Sequence, residues 1–206
     1  VLLALSGSII LMGTITAEAL YPRAYSTAAN TISDLGGTRP PEGLVLQPSA
    51  ALFDATMLMA AVLVVIAAAL AHRALGRWSL TVPLGVLGVG LLGVGLFPGN
   101  TTPHPLFAYV AFLGGGLAAV LSGQLVTPPM RHICRVLGAI ALLATVLGTF
   151  LLSWGPVAEL GEGGIERWIA YPVVLWLASF GGHLTASRSA PNQAELIDNI
   201  RASTSV

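Results

Sequence analysis

Six stretches of this chain, about 1–20, 49–71, 79–97, 104–126, 132–154 and 168–186, are continuously apolar over nearly the length a helix needs to cross a bilayer. A hydrocarbon core about 30 Å thick takes ~20 residues of helix, because each residue advances the chain by ~1.5 Å. The runs do not alternate between apolar and polar positions as barrel strands do, and a helix satisfies its own backbone hydrogen bonds in lipid. The expected fold is therefore all-α and membrane-integral: a six-transmembrane-helix bundle with a long outer loop between helices 1 and 2. Composition agrees, since 55% hydrophobic and 9% charged residues lie far from the roughly 25% charge of soluble domains. The reading divides the chain into a transmembrane domain over 1–186, containing the 21–48 loop, and a polar tail over 187–206. Ala17-Glu18-Ala19 resembles a signal-peptidase site, but the first run is kept as helix 1.

Orientation follows from the arginines, since short cytoplasmic loops are enriched in positive charge. Arg73 and Arg77 follow the second run, Arg131 and Arg135 the fourth, and Arg188 and Arg201 the sixth, whereas Arg23, Arg39 and Arg167 fall at the opposite ends. Both termini are expected in the cytoplasm and the 21–48 loop outside the cell membrane. Trp78, Trp154 and Trp168 fall at predicted helix ends, where an indole suits the headgroup region. The nine basic residues are balanced by nine acidic ones, so no polybasic surface for nucleic acid exists. The single cysteine, Cys134, cannot form an internal disulfide and reads as a small reduced core residue. The tail carries Leu196, Ile197 and Ile200 as a narrow apolar stripe, consistent either with a short helix on the inner membrane face or with a disordered segment.

The 24 glycines cluster in the third and fourth runs, and Gly115, Ala119 and Gly123 repeat at four-residue spacing. Such small-residue faces let helices approach closely, which places these two runs centrally. Gly88-Val-Gly90-Leu-Leu-Gly93 matches the dinucleotide-binding GxGxxG pattern, but no strand precedes it and no acid lies about 20 residues on, so no cofactor is expected there.

Polar residues at the edge of a membrane span are expensive to place and are therefore functional clues. In the expected topology Glu18, Asp34, Asp54, His104, Glu159, Glu162, Glu166 and Arg167 all gather at the outer face. Within the long loop, Thr31-Ile32-Ser33-Asp34-Leu35-Gly36-Gly37 reads as a turn or short helix capped by Ser33 or Asp34. Asp34 has two readings: a local cap, or a carboxylate turned to the bundle mouth where Arg23, Arg39 or Arg167 neutralises it. His104 is a helix-entry residue bonded at the headgroup surface or a proton shuttle. Glu166 and Arg167 either tie this edge to the long loop or, through the guanidinium, recognise an anionic headgroup. Glu18 snorkels to water or serves as a buried acid, and Asp54 suits the positive end of its helix. A single outer-face histidine without cysteine does not suit a metal site, and the HExxH, GxSxG and P-loop motifs are absent from the sequence.

Taken together, the Thr31–Gly36 hexapeptide, Leu52-Phe53-Asp54, Leu96-Phe97-Pro98-Gly99, His104 and Gly164-Ile165-Glu166-Arg167 resemble the membrane family catalogued as domain of unknown function 998. The resemblance spans about residues 1–186 and implies a six-helix architecture with recurrent outer-face positions, but no activity. The leading functional expectation is an outward-facing polar pocket that binds or transports a lipid headgroup or small amphiphile. Its lining is expected to include Asn30, Ser33, Asp34, His104, Glu166 and Arg167. One alternative is a membrane-embedded enzyme acting on a lipid or isoprenoid by acid/base chemistry, with Asp34, His104 and Glu18 as catalytic candidates. Another is a structural or assembly partner docking other helices through its small-residue faces. The expected partners are membrane lipids or an amphiphilic small molecule; the sequence sets no oligomeric state.

Overall fold

The apolar runs fold as helices in a computed structural model that describes residues 1–189, with side chains through Ser187. The helices are α1 (Leu2–Ala19), α2 (Ser49–Leu75), α3 (Trp78–Leu96), α4 (His104–Ser122), α5 (Met130–Phe150), the single turn α6 (Gly155–Ala158) and α7 (Gly161–Ser189). Six of them are long and apolar enough to cross a membrane, and among the described residues there is no strand. The predicted polar tail beyond Ser189 lies outside the described residues.

Most boundaries fall within a few residues of the hydropathy edges, but α7 starts seven residues before the predicted sixth run. Hydropathy marks where a helix becomes apolar, not where it begins. The first turns of α7 carry Glu162, Glu166 and Arg167, which belong to the helix itself and not to a loop leading into it.

Each long helix packs on its neighbours in sequence, and α7 returns to α1, so the ring runs α1, α2, α3, α4, α5, α7 and back to α1. With an even number of long helices the ring closes end to end: the Val1 ammonium donates to Thr185 Oγ1 at 3.0 Å. The interior is built from Phe53, Leu80, Leu84, Trp176, Leu177 and Phe180, all nearly or fully buried. Trp176 Nε1 donates to Ser122 Oγ at 2.9 Å, so the one polar atom of that indole is satisfied across α7 and α4. The outward faces are also apolar, with Met12, Met59, Val62, Val82, Val89 and Leu143 exposed. Helices that are apolar all round suit lipid as a solvent. Gly90, from the GxGxxG match, explains itself here: a Cβ at that position would run into the Ala111 backbone, so the glycine brings α3 and α4 together.

Candidate functional site

The segment between α1 and α2 crosses the end of the ring opposite Val1 and the last turn of α7 and carries a single-turn 3-10 helix, Ser33–Leu35. Apolar burial anchors it. Leu35 is fully buried, Ile32 nearly so, and Ser49 Oγ donates to the Leu35 carbonyl at 3.2 Å. The start of the turn is then tied to α7 by polar contacts. Glu166 accepts from the Ile32 backbone N–H at 2.6 Å and from the Ser33 hydroxyl at 2.8 Å, so both carboxylate oxygens serve donors at the start of the turn.

Arg167 works on the segment just before it. Its Nη1 donates to the carbonyls of Thr27 (2.9 Å), Asn30 (3.0 Å) and Gly163 (2.9 Å). Its Nη2 pairs with Glu18 at the end of α1 and donates to Tyr25 Oη at 2.8 Å. Tyr25 in turn donates to the Thr31 carbonyl at 2.9 Å, and its ring lies under the guanidinium at 5.6 Å. Burial raises the Tyr25 phenol pKa well above its ordinary value, even though the Arg167 bond and charge act to lower it. Gly163 admits this arrangement: its N–H donates to Ala28 O at 2.9 Å, and a Cβ there would strike the Asn30 carbonyl.

Asp34 closes its own turn. Its Oδ2 accepts from the Thr31 N–H at 2.9 Å and from Asn30 Nδ2 at 3.4 Å. The ion pairs among the described residues are Arg167–Glu18, largely buried, and Arg39–Glu162, at 2.8 Å and about half exposed.

Below this cap lie two cavities that share Ser33, Ala108, Phe112 and Glu166 in their walls. The upper one, about 260 Å³, opens between α4, α5 and α7 and is lined by Ser33, Arg39, His104, Tyr109, Thr145, Thr149, Glu162 and Glu166 among others. The deeper one, about 80 Å³, sits inside the ring and is almost wholly apolar, with Ile10, Phe53, Leu91 and Val174 in its wall. His104 opens α4 and is 5% exposed. Its Nδ1 lies 2.6 Å from the Phe97 carbonyl, which can only accept, so Nδ1 carries the proton; Nε2 is buried without a partner.

The family described as Protein of unknown function (DUF998) matches residues 4–183. The chain belongs to this family. No curated protein and no solved structure matches it.

The DUF998 match takes in all of the cap and both cavities. Of the residues expected to line a pocket, Ser33, His104 and Glu166 meet in the upper cavity. Asn30, Asp34 and Arg167 do not line it: their polar groups hold the cap together, as does Glu18. Sequence reading passed over Tyr109, Thr145 and Thr149. The last two had a legible signal, a hydroxyl pair four residues apart in an otherwise apolar run, which puts both on one helix face. Thr14, in α1, lines the deeper cavity with its buried hydroxyl unpartnered, and nothing in its sequence surroundings marks it.

Proposed function

We propose that this DUF998 protein is a multi-pass membrane protein that binds a small amphiphile or lipid, with the head in the upper cavity and the apolar part reaching into the ring, from the extracytoplasmic side. One observation carries the reading: a cavity whose wall carries several polar side chains among apolar ones meets an almost wholly apolar one beneath it across the shared residues Ser33, Ala108, Phe112 and Glu166. A site of that construction suits a ligand with two solubilities, because each part finds a matching wall. The upper cavity is bordered by three long helices, which gives a molecule dissolved in the leaflet a lateral approach. The arginine distribution, six against three, supports placing the cap outside and both termini in the cytoplasm. Binding is favoured over acid/base catalysis because Asp34 and Glu18 already accept hydrogen bonds within the cap.

The test is photolabelling of purified protein in nanodiscs with a lipid carrying a diazirine on its acyl chain, followed by peptide mapping. Label should concentrate on α4 and α7 peptides facing the cavities and fall sharply in Ala108→Trp, which fills the shared floor. Even labelling of outward-facing peptides, unchanged by that substitution, would rule the reading out.

A further inference from the structure

The amphiphile reading leaves the chemistry of the head open, and the hydrogen-bonding state of His104 narrows it. Resting on that reading, we propose that the upper cavity selects an uncharged hydroxyl head, which donates its hydrogen bond to His104 Nε2, over a phosphate.

The proton of the neutral imidazole is fixed on Nδ1 by the Phe97 carbonyl at 2.6 Å, so Nε2 presents a lone pair. That nitrogen is buried, belongs to a side chain 5% exposed, and has no partner in the protein. A buried acceptor without a donor costs free energy that an incoming hydroxyl recovers, whereas a fully ionised phosphate brings only a second acceptor to the same point.

Charge acts in the same direction. The ionisable groups in the wall besides His104 are the cation Arg39, the carboxyl groups of Glu162 and Glu166 and the phenol of Tyr109. Arg39 is already paired with Glu162 at 2.8 Å. Arg167, the other nearby cation, does not line the cavity and directs its N–H groups to Thr27, Asn30, Gly163, Glu18 and Tyr25. An anionic head would therefore meet no uncommitted cation in the cavity wall. A cationic head fares little better, because both Glu166 oxygens hold the cap's own donors. A single hydroxyl needs neither. The matching chemistry is an alcohol on an apolar chain, supplied either by a diacylglycerol or by a free long-chain alcohol.

The experiment is displacement of the diazirine lipid from the protein in nanodiscs by dioleoylglycerol, a long-chain isoprenoid alcohol, or dioleoyl phosphatidic acid, whose acyl chains match those of the diacylglycerol. At least one hydroxyl ligand is expected to compete about tenfold better than phosphatidic acid, the size of one lost buried hydrogen bond. Which alcohol wins identifies the source. His104→Phe should abolish the preference and leave phosphatidic acid unchanged, and His104→Gln, whose amide reaches the Nε2 position, should restore part of it. If His104→Phe does not fold, the Gln variant alone decides, because a preference as strong as in the parent would show that Nε2 is not the acceptor. Equal or better competition by phosphatidic acid in the parent overturns the proposal while the amphiphile reading stands. Failure of all three to displace label that Ala108→Trp also fails to remove overturns both.

Discussion

Glu166 accepts a 2.6 Å hydrogen bond from the backbone N–H of Ile32, a residue 134 positions earlier in the chain. This contact and the bond from Ser33 make the head of α7 the clasp for the turn that roofs both cavities. Replacing Glu166 with Ala leaves the Ile32 N–H buried without an acceptor, and the cost is expected to be about 1–3 kcal/mol. Glu166→Gln keeps one acceptor oxygen and should cost less. Thermal unfolding in detergent measures the difference, and protease cleavage within 37–48 should accelerate in the same order.

The two ion pairs should differ sharply in weight. Arg167 and Glu18 are 11% and 21% exposed, and removing either leaves a largely buried charge, at about 3–5 kcal/mol. Arg167→Lys should recover little, because one ammonium cannot serve three carbonyls, a carboxylate and a phenol at once. Arg39 and Glu162 are 57% and 50% exposed, so Arg39→Ala should cost less than about 1 kcal/mol and the effect should fade with added salt. Comparable losses for the two pairs in parallel melts would contradict the part given to Arg167 in holding the cap.

Two glycines of α7 should respond with opposite signs. A Cβ on Gly163 meets the Asn30 carbonyl, so Gly163→Ala should loosen the cap despite the better helix propensity of alanine. Gly182 faces open space, and Gly182→Ala should gain stability, at most about 1 kcal/mol. Unfolding midpoints of the two variants against the parent decide the point.

Alkaline pH should unlock the same region. The folded state holds the Tyr25 proton more tightly than the unfolded chain does, because burial outweighs the lowering influence of Arg167. Stability from this group is therefore fully present below the ordinary phenol value near 10 and falls as pH rises beyond it. Tyr21, also raised chiefly by burial, adds to the slope. Melting points followed from about pH 8 to 12 should be level and then decline, and Tyr25→Phe should flatten the decline.

Sidedness is testable through the single cysteine. Cys134 is fully buried, and in a Cys134→Ala background a cysteine placed at exposed Glu42 should react with a membrane-impermeant maleimide from outside intact cells. A cysteine at exposed Ala74, at the other end of α2, should react only after lysis. The reverse pattern would turn the cap to the cytoplasm and remove the extracytoplasmic part of the proposal.

The 31–37 turn and the Glu166-Arg167 pair were visible in the sequence as polar punctuation between apolar runs. Their spacing along the chain said nothing of which carboxylate meets which donor. Asp34 shows the limit: near three arginines in the expected topology, it bonds instead to Thr31 and Asn30, because a short side chain reaches its own turn without long-range closure.

By itself the sequence determined the six apolar helices and the gathering of the carboxylates Glu18, Asp34, Asp54, Glu162 and Glu166 at one end of them, since each depends on local hydropathy and chain order. Only the tertiary structure decided that α7 closes on α1, that Glu166 and Arg167 hold the cap, and that His104 lines the upper cavity with a buried nitrogen left unpartnered. Those features depend on distances between residues far apart in the chain, and such distances are set by how the helices pack around one another rather than by what any one helix contains.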